Sequence, residues 1–113
     1  QKFGIFNLLS DKIKIYNKGW FVSTTPGKEV KSIFKGRVIF SGDMPDRHRV
    51  VIVDHGDHFY SVYSNLEVAE VAVNDEIEGE TQIGRAGSSR FFGHGLYLEI
   101  RHFSQPEDPT EWF

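Results

Sequence analysis

Apolar side chains along this chain recur at every second position far more often than at every third or fourth. In "LYLEIR" (96–101), Leu96, Leu98 and Ile100 alternate with Tyr97, Glu99 and Arg101. That alternation marks a strand with one face in a core and the other turned outward. The same pattern predicts strands at 36–40, 49–55, 59–64 and 81–86, and weaker ones at 12–16, 19–23 and 29–33. No window sustains a helical stripe. Val50, Val51, Ile52 and Val53 are apolar on both faces, which places their strand centrally. Pro26-Gly27 predicts a turn with proline at i+1 and glycine at i+2, and Gly56-Asp57 the II′ turn of a tight hairpin. Short strands punctuated by glycine predict an all-β fold, a small antiparallel sandwich or partly open barrel. The proline-interrupted end, 105–113, reads as an irregular strap anchored by Trp112 and Phe113.

The chain has 113 residues, the size of a single domain spanning 1–113. It opens on Gln1 and therefore reads as part of a longer protein. With no cysteine, it can form neither disulfides nor thiolate metal sites. Thirteen basic and sixteen acidic residues give a net charge of -3, a balance unlike that of a nucleic-acid binder. No apolar run approaches the ~20 residues that span a bilayer.

Candidate chemistry is sparse. Of the five histidines, His55 and His58 flank the hairpin turn and could meet across it near Asp54, but zinc catalysis wants three positioned ligands and an open place. His94 lies between glycines and would reach Glu99 only if its loop folded back. Ser88-Ser89, in the glycine-rich stretch 87–95, which reads as a surface loop, has no nucleophile elbow around it. Phe91-Phe92 in that stretch predicts an exposed apolar patch.

Taken together, "VAVNDEIEGETQIGRAGSSRFFGHGLYLEIR" resembles the second half of a LytM-type (lysostaphin-like) zinc peptidase domain, with Val73, Asp75, Ile77, Gly79, Ile83, Gly84, Gly87, Ser88 and Glu99 in register. "PGKEVKSIFKGRVIFSG" and "RVVIVDHGDHFYSVYSNL" resemble its central hairpins, and "DPTEWF" its terminal strap. The resemblance covers about residues 14–113 and implies the LytM type of duplicated β fold.

At the positions that carry the family's chemistry, the sequence departs from it. The first metal motif, His-x-Gly-x-Asp, corresponds to "NKGWF", so that Asn17 and Phe21 replace ligands and Gly19 alone is kept. The later His-x-His becomes Gly95 and Tyr97, and the remaining catalytic histidine becomes Asn65. None of the five can supply what a zinc-bound water requires. The resemblance thus implies a domain without metal, cofactor or catalysis, similar to the EnvC- and NlpD-type amidase activators of bacterial envelopes. Such domains bind zinc amidases and relieve their autoinhibition.

The implied location is periplasmic, with a coiled coil or wall-binding repeats upstream. The implied protein-partner groove comprises Gly95, Tyr97 and Phe21, with Asn17, Asn65, Lys31 and Arg90 as polar rim contacts. A simpler reading has Phe21 and Tyr97 merely plugging a vacated cavity. Other readings are a structural module of an envelope-spanning complex and a domain that binds peptidoglycan directly. A biotinyl or lipoyl carrier is disfavoured, because Met44 has no adjacent lysine.

Overall fold

The computed structural model describes residues 13–16, 19–45, 47–90, 93–102 and 105–107. Every regular element among them is a strand: β1 (Ile13–Tyr16), β2 (Gly19–Ser23), β3 (Glu29–Lys31), β4 (Gly36–Met44), β5 (His48–Gly56), β6 (Phe59–Ala69), β7 (Glu76–Ile77), β8 (Gln82–Ser89), β9 (Gly93–His102) and β10 (Gln105–Glu107). All belong to one sheet of order β1-β2-β9-β8-β6-β5-β4-β7, with β10 on β9, β3 on β8 and a further β6–β9 pairing. The all-β expectation holds. The architecture is a single curled half-barrel rather than two stacked sheets, because β6 pairs on one side with β5 and on the other with both β8 and β9.

The alternation read from the sequence decides which face is buried. Trp20 and Val22 of β2, Val51 and Val53 of β5, Tyr63 of β6, and Leu96, Leu98 and Ile100 of β9 all join one apolar cluster. Val50, Val51 and Val53 are fully buried in β5, which lies between β4 and β6 as its two-faced pattern predicts. Gly27, at φ +70, takes the i+2 place of the Pro26-Gly27 turn, which the Lys28 N–H closes on the Thr25 carbonyl.

Three expectations are corrected. The β5–β6 hairpin turns on Asp57-His58, not on Gly56-Asp57. Gly56 pairs with Phe59, and positive φ at both Asp57 and His58 makes the turn type I′. Second, the glycine-rich stretch 87–95 is largely strand, with β8 continuing through Ser89 and β9 starting at Gly93. Gly87 and Gly95 serve close backbone approach, a Cβ on Gly87 lying 2.7 Å from the Asn65 carbonyl, whereas Gly93 supplies a positive φ. Third, residues 105–107, read as the start of an irregular strap, pair with β9 as β10. Phe91, Phe92, Trp112 and Phe113 lie outside the described residues.

The imidazole of His55 closes one end of the core. Its Nδ1 lies 2.8 Å from the Lys35 carbonyl and its Nε2 2.6 Å from Ser61 Oγ. Ser61 Oγ lies in turn 2.8 Å from Tyr63 Oη, which accepts from the Ile33 N–H. A carbonyl only accepts, so Nδ1 carries the proton and Nε2 of the neutral ring accepts from Ser61. Burial outweighs the Lys35 carbonyl and the Asp54 charge and holds His55 below its ordinary pKa. The unfolded chain therefore takes up this proton first as the pH falls, and the folded state loses stability below about pH 6.5. Thermal melts from pH 7.5 downward are expected to show a falling midpoint below that value, and a shallower fall in His55→Gln. An equal fall in the variant would assign the effect to other groups.

Candidate functional site

The core residues of β2 and β9 alternate with side chains on the opposite face of the sheet. Phe21 pairs with Tyr97, Ser23 with Gly95, and Ser64 of β6 with Tyr97 from the other side. One further step in register sets Gly19 beside Glu99. This face holds the positions at which the sequence departs from its resemblance.

Two aromatic–glycine contacts fill it reciprocally. The Phe21 ring leans along β9 onto Gly95, where its Cζ would lie 2.6 Å from an added Cβ. The Tyr97 ring leans along β2 onto Gly19, with its own Cζ 2.6 Å from an added Cβ there. Each ring covers the glycine two residues from its cross-strand partner, a packing that restores the contact area a strand glycine lacks. Gly19 persists because Tyr97 and the Glu99 stem occupy the volume above it. Phe21 is 1% exposed, whereas Tyr97 is half-buried.

Asn65 closes the floor. Its φ of +66 belongs to the left-handed region, which asparagine tolerates better than most residues. Its Nδ2 donates to the Gly95 carbonyl over 2.9 Å, and its N–H to the Arg47 carbonyl. The residue turns β6 from one neighbour to another: 59–64 pair with β9, and 66–69 with β8.

The seven groove positions therefore separate. Phe21, Asn65, Gly95 and Tyr97 come together, but the first three are buried and form a floor, leaving Tyr97 to reach solvent. Lys31 stands opposite Gln82, five residues along β8 from the Gly87–Gly95 pair, or about 17 Å away. Arg90 is exposed beyond the Ser89–Gly93 pair, roughly 13 Å along β9 from Tyr97. Asn17 lies outside the described residues.

The sequence reading missed the strongest electrostatic feature here. Glu99 is 3% exposed, and its two carboxylate oxygens accept from Arg101 Nη1 at 2.7 Å and Arg47 Nη1 at 3.2 Å. The signal was present, since Glu99 and Arg101 share a parity along β9 and so a face. His94, once considered as its partner, is exposed, with its carbonyl accepting from the Thr24 N–H. The His55–His58 metal idea also fails, because both His55 nitrogens are engaged within the protein.

A divalent ion does not fit this face. Glycine, tyrosine, phenylalanine and asparagine offer no thiolate, imidazole or carboxylate, and a buried phenyl ring covers Gly95. The one carboxylate, Glu99, has both oxygens committed to arginines. Among the described residues, no group of three or more His, Cys, Asp or Glu could hold a metal ion.

Comparison with known proteins places the fold. Residues 15–109 match the model of Peptidase family M23. The chain is 35% identical over 96 residues to the murein hydrolase activator EnvC of Escherichia coli, covering 84% of this chain and 23% of that protein. It is 30% identical over 97 residues to outer membrane antigenic lipoprotein B of Haemophilus influenzae, covering 85% and 24%. It thus spans only a minor part of the curated relatives it matches. Among solved structures, the catalytic domain of lysostaphin from Staphylococcus simulans superposes with a TM-score of 0.77 at 20% identity, over 85% of this chain and 77% of that one, a likeness of fold alone.

Replacing Glu99 by glutamine would set an amide N–H₂ against a guanidinium and remove the buried charge. The variant is expected to lose about 2 kcal/mol in urea unfolding, the scale of a hydrogen bond to a charged group. An unchanged midpoint would show that the two half-exposed arginines add nothing.

Proposed function

The chain belongs to peptidase family M23, and from that premise we propose that it is a non-catalytic domain that docks on a peptidoglycan-cleaving enzyme, a zinc amidase, and activates it. The observation that carries this reading is the seat of Phe21. A buried phenyl ring lies over Gly95, where the family pattern has the first histidine of His-x-His, and the nearby Asn65 is bound to that glycine's carbonyl. What remains is a rigid surface. The half-buried Tyr97 stands above a filled floor, with Arg47 and Arg101 beside it at 43% and 33% side-chain exposure.

A fixed aromatic flanked by guanidiniums suits a protein contact, because little entropy is lost when such a surface docks. Activation then requires that this surface bind the partner's open state more tightly than its closed one. The description of EnvC as a murein hydrolase activator supports the reading, and a role on murein implies an extracytoplasmic, periplasmic location. No helix among the described residues is long and apolar enough to cross a membrane.

The test mixes the purified chain with a zinc amidase from the same organism and follows dye release from labelled sacculi. The amidase is expected to accelerate, while the chain alone releases nothing. Tyr97→Ala is expected to lose partner binding in a pull-down while its circular dichroism keeps the β signature. Undiminished binding by a folded Tyr97→Ala would sink the docking surface. Elemental analysis of the freshly purified chain is expected to find no stoichiometric zinc, and one zinc per chain would overturn the non-catalytic reading.

A further inference from the structure

A pocket of about 250 Å³ opens at the far end of β9, beside the β5–β6 turn and away from Tyr97. Its floor is Ile33 and Ile100, 6% and 3% exposed, and its walls are Phe34, His55 and Phe59. Asp57 stands exposed at its mouth. We propose that this pocket receives the side chain of a lysine projecting from a folded protein partner, its methylenes on the isoleucine floor and its ammonium between the aromatic walls and the Asp57 carboxylate.

Four features carry the proposal. The floor is apolar and buried, which suits a run of methylenes and gives a bare cation nothing to bind. Phe34 and Phe59 are aromatic, and an aromatic π-face attracts an ammonium. Among the described residues, Asp57 is the one charged side chain lining the pocket. The His55 ring, held neutral by burial, adds no opposing charge. The exposed Lys35 contributes its carbonyl to His55 and does not line the pocket.

The walls are also held in place before any ligand arrives. Phe59 stacks on His102 with centroids 4.0 Å apart and planes 7° from parallel, and Phe34 meets His55 edge-on at 5.9 Å. A volume below that of a drug-sized site fits one side chain. Phe59 is paired with both Gly56 and His102, and Ile100 with both Ser61 and Glu107. These strands therefore offer no open edge for an extended peptide, so the occupant enters end-on from a preformed surface. The proposal is independent of the docking surface at Tyr97 and can fail or succeed without it.

The experiment titrates the isotopically labelled 113-residue chain with Nα-acetyl-lysine methylamide and, separately, with its norleucine analogue, following amide chemical shifts. Saturable shifts at 33–34, 55–59 and 100–102 are expected with the lysine probe, and binding about fivefold weaker or more with norleucine. Asp57→Asn, which keeps a residue tolerant of the left-handed turn, and Phe59→Leu, which keeps apolar volume, are each expected to weaken the lysine probe about threefold to tenfold. Well-dispersed spectra of both variants would show that the fold survives. Equal affinity for norleucine, no saturable shift, or unchanged affinity in both folded variants would overturn the proposal. A soluble muropeptide with a free side-chain amine that binds about tenfold more tightly than the lysine probe would assign the pocket to the cell wall and overturn the protein partner.

Discussion

Three strands meet at Asn65, and that meeting organises the rest. β6 leaves β9 and takes up β8 at this residue, which the backbone accomplishes by a left-handed turn within the strand. At the same point β8 and β9 pair through Gly87 and Gly95, and each glycine leaves room for a further strand: a Cβ on Gly87 would meet the Asn65 carbonyl of β6, and one on Gly95 the Val22 carbonyl and Phe21 ring of β2. The Asn65 side chain then bonds to the Gly95 carbonyl and ties the junction together. A left-handed non-glycine residue costs on the order of 1–3 kcal/mol and persists only where surrounding structure over-determines it. Here it is held by ladders on both sides.

On this junction sits a face in which packing stands where the family has metal coordination. A bound ion would tie β2 to β9 through its ligands. In this chain, β2 and β9 are joined by ring-on-glycine contacts, β6 and β9 by the Asn65 amide, and β9 and the β4–β5 connection by Glu99 between arginines of each. The substitutions belong together physically: Phe21 needs Gly95 to be bare, and Tyr97 needs Gly19 to be bare. What reaches solvent is the Tyr97 ring and the partly exposed Arg47 and Arg101 side chains.

Period-two alternation made the fold class and most strands legible, because one buried face imposes it residue by residue. Val50–Val53 showed its central place for the same reason. The short β7 and β10 escaped, since two or three residues cannot display a period. The hairpin turn was misplaced by one residue because glycine and aspartate both tolerate positive φ, and only the Gly56–Phe59 pairing chooses between the registers. The β8–β9 stretch misled for a related reason: glycine looks alike whether it supplies freedom or close approach. At the site, the lost ligands were visible as residue types. The buried state of Phe21 and the Arg47–Glu99–Arg101 set were not, because both depend on strands brought together from distant parts of the chain.

The reciprocal seating of Phe21 and Gly95 also limits what either position accepts. A histidine at position 95 would meet both a phenyl ring and the Val22 carbonyl, while an aspartate at 21 would leave a bare hollow over a glycine. A change at either position alone is penalised, so the two residues work as a lock on the composition of this face.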